Sequence, residues 1–205
     1  PFLPEYGEMP AGAGFYPADM TKEEFEAWDD PDKTSLYTLI KRDENGKLQA
    51  VWYHEAYAHQ INHAASLMLK AANLAGDYEF ARYLRLRAKA LLTDNYFDSD
   101  MAWMDVRNNN VDFVVGPIEN YVDALYGYKA AHEAFILIKD HAWSKQLAHY
   151  AELLPELQTQ LPVDPEYKAE KPGADADLAV YDAVFYGGDC NMAGKTIAIN
   201  LPNDE

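Results

Sequence analysis

Cysteine is almost absent from this sequence: Cys190 stands alone among 205 residues, which excludes an internal disulfide. That scarcity fits a reducing compartment and points to a cytoplasmic location. Long apolar runs are missing too, with none approaching the roughly 18 residues a membrane span needs. No secretory signal is visible, although the chain begins at Pro1 rather than Met and stops abruptly at Asn203-Asp204-Glu205. Both ends look cut, so the expectation is a piece of a longer protein. Basic residues are scarce: 17 Lys and Arg face 34 Asp and Glu, for a net charge of −17. Nucleic-acid binding rests on cations that neutralise phosphates, and anionic membrane surfaces attract the same cations, so neither partner is expected. What remains is 49% apolar and 13% aromatic, the composition of a globular chain able to bury a core.

Residues 1–20 are rich in Pro and Gly and read as an extended N-terminal arm; residues 21–205 read as one α+β domain. Thr21 and Glu24 form a capping box for a short helix that Asp29-Asp30-Pro31 stops. Two β-favouring runs, Ser35–Lys41 and Lys47–Tyr53, flank Asp43-Glu44-Asn45-Gly46 and predict a hairpin over 35–53. A helical period runs from His54 to a break at Gly76, and Asp77 opens a second helix through Leu92. Val111–Val115 reads as a buried strand that a Gly116-Pro117 corner ends. Glu119, Tyr121 and Asp123 follow, and either carry binding chemistry or enrich the first turn of a helix expected over 124–139. Another helix is expected over 144–154, then a proline-rich loop over 155–176. Two closing strands are expected over 178–185 and 196–201. The fold class is therefore α+β, predominantly helical, with a small mixed or antiparallel sheet.

Several motifs suggest chemistry. His54-Glu55-Ala56-Tyr57-Ala58-His59 is an HExxxH, the residue types with which zinc hydrolases hold metal and activate water. On a regular helix its histidines lie about 140° apart, and the better-placed pair, His59 and His63, lacks an accompanying carboxylate. A solvent-facing amphipathic helix explains them more simply. Cys190 has no base beside it, and the neighbouring Asp189 raises its pKa, so it reads as a structural thiol. Gly187–Lys195 fails phosphate-loop spacing, because Gly-x4-Gly-Lys would need glycine where Asp189 stands. Asn200 and Asn203 flank Leu201-Pro202 at a strand end, where amides either recognise a ligand backbone or complete a turn.

Taken together, Gly116-x-Ile118-Glu119-Asn120-Tyr121-x-Asp123, Glu133-Ala134-Phe135 and Ile197-Ala198-Ile199-Asn200-Leu201-Pro202-Asn203 resemble the dipeptidyl peptidase III family of zinc metallopeptidases. The similarity is closest over residues 103–205 and looser over 15–102, where it is nearest to bacterial members. The resemblance implies a two-lobed protein that removes dipeptides from peptide N-termini. It implies no catalytic and no metal-binding residue in this chain. The family's zinc lies on a later HExxxH helix with an EExxAE-like partner, both beyond residue 205, so zinc belongs to the full-length protein and the piece alone is expected to be inactive. His54–His59 stands in the wrong place to be that motif. By the same resemblance Asn200 and Asn203 hold the substrate's N-terminal end and backbone. Glu119 and Tyr121 have the spacing of the family's amine-binding pair, while an alternative register would put Asp112 and Val114 there. The partners implied are a peptide with a free N-terminus and the C-terminal zinc-bearing lobe. Some members carry Nudix hydrolase domains, but no box of that type occurs here. A non-catalytic helical binding module sharing the fold is the competing reading.

Overall fold

The computed structural model describes residues 7–168, 178–188 and 198–199. The first helix, α1 (Lys22–Ala27), starts where expected: the Thr21 side chain accepts from the Glu24 N–H. Its C-terminal carbonyls at Phe25, Glu26 and Trp28 accept from Lys33 Nζ. The stretch read as an arm turns back at residues 11–16 and buries Phe15 and Tyr16 against Phe25 and the hairpin. The hairpin itself, β1 (Thr38–Arg42) and β2 (Leu48–Trp52), pairs Thr38 with Trp52 and Arg42 with Leu48. Asp43 Oδ1 accepts from the Asn45 and Lys47 N–H groups across the turn, where Gly46 takes φ +77°.

A helical layer follows: α2 (Tyr53–Ala56), α3 (Ala58–Leu74), α4 (Tyr78–Leu91) and α5 (Phe97–Met104). Tyr57, at φ −116° and ψ 26°, interrupts the helix expected from His54. Asp77 caps α4 by accepting from the Phe80 N–H. Ile61, Ala65, Met68 and Ala72 of α3 pack on Tyr83, Leu84, Ala88 and Leu91 of α4, the face that their helical period prescribes. α5 lies in a stretch without clear periodicity.

The second layer is a three-stranded antiparallel sheet in the order β3 (Val111–Glu119), β4 (Ala131–Lys139), β5 (Tyr181–Gly188). Two expectations fail here. The strand does not stop at Gly116-Pro117 but runs on to Glu119, with a register shift between Pro117 and Glu119. β3 lies at the sheet edge, where proline's missing N–H breaks no ladder and a bulge absorbs the irregularity. Residues 124–139 form no helix: 120–130 make a connection and 131–139 make β4. Ala131, Glu133 and Phe135 are buried on alternate positions, so the period is two, and pairing with β3 overrides the helical preference of Ala, Glu and Leu.

α4 seals the outer edge of β3. Tyr83 OH donates to the Phe113 carbonyl at 2.8 Å, and Arg87 Nε donates to the Val115 carbonyl at 2.7 Å. Arg87, 1% exposed, also donates to Ser99 Oγ and pairs with Asp100. Its guanidinium lies 4.8 Å from the centre of the Tyr96 ring. Gly116 is required at the crossing: it takes φ +140°, and a Cβ there would lie 3.3 Å from Tyr96 and 3.4 Å from Arg87.

Past β4, α6 (His141–Ala151) begins three residues earlier than expected because the Asp140 side chain accepts from the Trp143 N–H. Two short helices, α7 (Leu154–Gln160) and α8 (Pro165–Lys168), occupy the described part of the proline-rich segment. β5 begins and ends three residues later than the strand expected over 178–185. Of the strand expected over 196–201, only 198 and 199 lie among the described residues, and they have no regular structure. The fold class is α+β, with antiparallel sheets.

Candidate functional site

The alternation of β3 sorts its side chains to two faces. Phe113 and Val115 turn to the helical layer, whereas Val114 and Ile118 form a small cluster with Phe135, bordered by Trp103, Leu137 and Ile199. Ile199 is the residue before Asn200, so the chain approaching Asn200 meets the sheet on the Val114–Ile118 face. Asn200 and Asn203 themselves lie outside the described residues, as does Cys190 with most of the Gly187–Lys195 loop.

Glu119 is the last residue of β3, paired with Ala131 and half-buried. Tyr121 stands in the turn beyond it, 80% exposed. Neither side chain makes a hydrogen bond or ion pair among the described residues.

Asp112 is committed differently. It is 4% exposed, and its carboxylate accepts from Trp103 Nε1 at 3.0 and 3.2 Å and from its neighbour's N–H at Phe113. Burial pushes its pKa up, although those hydrogen bonds oppose the shift. Val114, two residues on, is completely buried. The register that would use Asp112 and Val114 thus offers a carboxylate already engaged and an apolar side chain.

Asp123 does not open a helix either. Its carboxylate is buried within the β3–β4 connection, where it accepts from backbone N–H groups and from Tyr16 OH. Sequence reasoning missed the roles of Tyr16 and Trp103. An aspartate four residues before a Gly-Tyr-Lys run is a turn signal, but its long-range partner has no local signature.

The HExxxH histidines are drawn apart. His54 Nδ1 lies 2.7 Å from Asp94 Oδ2, which also accepts the His54 N–H at 2.9 Å, while His59 is exposed on α3. Among the described residues no group of three or more His, Cys, Asp or Glu side chains is placed to hold a metal ion. The described residues therefore do not fit a zinc centre. Deeper in, His132 of β4 lies between the Tyr53 and Tyr57 rings, at 5.1 and 5.6 Å. Its Nε2 is buried without a hydrogen-bond partner among the described residues. No helix among the described residues is long and apolar enough to cross a membrane.

Comparison with known proteins gives these side chains a context. The profile of peptidase family M49 matches residues 21–205. A solved structure of DPP III from Caldithrix abyssi superposes with a TM-score of 0.86 at 42% identity, covering 95% of this chain and 38% of that one. A dipeptidyl-peptidase III from Corallococcus sp. strain EGB gives 0.81 at 35% identity, covering 100% of this chain and 39% of that one. The Arabidopsis thaliana protein called Nudix hydrolase 3 is 33% identical over 223 residues, 96% of this chain and 28% of that protein. The chain thus spans well under half the length of each of these relatives.

Proposed function

Since the chain belongs to peptidase family M49, we propose that it is the substrate-side portion of a zinc-dependent exopeptidase resembling dipeptidyl peptidase III, which releases dipeptides from peptide N-termini. The observation that carries the reading is the packing of Ile199 against Val114, Ile118 and Phe135. It supports bringing the Ile197–Asn203 segment beside the strand that ends in Glu119. In this reading Asn200 and Asn203 bond the backbone of an extended peptide, a mode in which main-chain hydrogen bonds supply affinity. The outer edge of β3 is not the docking edge at Phe113 and Val115, because Tyr83 and Arg87 already bond those carbonyls. Glu119 faces the substrate's ammonium as a charge-assisted acceptor, and Tyr121 adds a hydroxyl.

The residues 21–205 act as one domain of a two-lobed protein, with its zinc ligands beyond Glu205. That metal, when bound, would polarise the scissile carbonyl and activate water. This chain's part is to hold the peptide in register. The location proposed for the whole protein is the cytoplasm, on the strength of the single cysteine in these 205 residues.

Glu119→Ala in the full-length protein tests the amine contact. Loss of one charge-assisted hydrogen bond should raise KM for peptides with a free N-terminus about tenfold or more, with kcat little changed. Peptides acetylated at the N-terminus should be cleaved by neither enzyme. Equal KM values for both enzymes on free peptides would remove Glu119 from the site.

A further inference from the structure

We infer that Asp123 is a positioning residue: with Tyr16 and Lys129 it presets the β3–β4 connection, and so fixes where Tyr121 meets the substrate. This rests on the reading of Glu119 and Tyr121 as substrate contacts.

The connection, residues 120–130, has no regular secondary structure, and its shape is imposed from within by one carboxylate. Asp123 Oδ1 accepts from the Leu125 and Tyr126 N–H groups, each at 3.2 Å. Oδ2 accepts from the Tyr128 N–H at 2.9 Å and the Lys129 N–H at 3.1 Å. A fifth bond, from Tyr16 OH at 2.7 Å, ties this carboxylate to the N-terminal stretch 107 residues away. The side chain is 3% exposed as a residue, so each bond forms away from competing water. A buried carboxylate with fewer donors would be left under-bonded, so the backbone of the connection and the Asp123 side chain hold each other in place.

Two further ties close the ends. Asn120 Nδ2 donates to the Gly127 carbonyl at 2.6 Å, across the turn that carries Tyr121. Lys129, fully buried, sends its Nζ to the Lys33 and Ser35 carbonyls and to Thr38 Oγ1. Its charge meets only neutral oxygens there; burial lowers its pKa to about 8, and Asp123 is the first of the acids that oppose the shift. The hairpin, the N-terminal stretch and the end of β3 therefore meet on one connection. Tyr121, exposed at its tip, bears none of this bonding. That division is what preorganisation requires: supporting groups buried and satisfied, the contacting group free.

The test uses Tyr16→Phe, which removes one hydroxyl without removing the ring, and Asp123→Asn, in the full-length protein. Backbone hydrogen exchange over 120–130 is followed together with kinetics on a peptide with a free N-terminus. Expected are faster exchange in that stretch and a KM raised about fivefold in Tyr16→Phe, more in Asp123→Asn, with kcat within about twofold of the parent. Restoring the carboxylate with Asp123→Glu should recover part of the KM loss, which a general loss of stability would not predict. Unchanged exchange would overturn the lock. Faster exchange without a KM change would overturn the coupling, provided Glu119→Ala and Tyr121→Phe still raise KM. If those two variants also leave KM unchanged, the substrate reading has failed and this inference falls with it.

Discussion

Replacing Arg87 with Met should destabilise the chain by about 3–5 kcal/mol, the usual cost of deleting one partner of a buried ion pair. Met keeps most of the volume and leaves three acceptors behind. The Val115 carbonyl at the edge of β3 loses its donor, Ser99 Oγ loses a partner, and Asp100 keeps a buried charge without its guanidinium. The loss extends to the Tyr96 ring, over which the cation sits. At roughly 2–4 °C per kcal/mol for a chain of this size, Tm should fall by about 6–20 °C. A change of only a degree or two would mean that the helical layer and β3 hold together without this residue. The edge of β3 tolerates Pro117 for the same reason: its outer carbonyls at Phe113 and Val115 are claimed by side chains rather than by another strand.

Stability should also fall steeply on the acid side of neutrality, and His132 should account for much of the fall. Burial first, and the Arg87 charge second, push its pKa down to about 4 from the ordinary 6.5. A histidine held neutral by folding binds fewer protons in the native state than in the unfolded one. Its contribution is therefore complete above about pH 6.5 and is lost as pH falls toward 4, by about 3 kcal/mol in all. Asp94 and Asp112 work in the opposite direction, since burial raises both and favours their protonated forms. The informative quantity is then the difference between parent and His132→Phe, a substitution that preserves the ring contacts with Tyr53 and Tyr57. Urea unfolding from pH 7 to 4 should show the parent losing stability faster than the variant. Parallel curves would show that His132 takes up its proton without cost.

How much of this could be read from the sequence depended on the range of the interactions involved. Thr21, Asp77 and the Asn45-Gly46 turn act within a few residues, and each forms the cap or turn its chemistry prescribes. Most of the core face of α3 was equally legible: Ile61, Ala65, Met68 and Ala72 are buried as their period prescribes, while Leu69, which the same period includes, is 44% exposed. β4 was not. Ala131–Lys139 contains residues suited to either state, and pairing with β3 and β5 decides between them. Gly116-Pro117 misled for the same reason, since only the sheet shows that this strand has an edge to spare. In the candidate site, the similarity carried by Ile118–Tyr121 and Ile197–Asn203 pointed to the family that the profile then matched over residues 21–205. The Tyr16–Asp123 bond, spanning 107 residues, and the commitment of Asp112 to Trp103 exist only in three dimensions.

The central claim is tested most directly by incubating the full-length protein with zinc and a peptide of known sequence, once with a free N-terminus and once acetylated, and identifying the products by mass spectrometry. The account predicts successive dipeptides from the free end, no release from the acetylated peptide, and loss of activity on chelation. Single residues, internal cleavage, or an intact free peptide would contradict it.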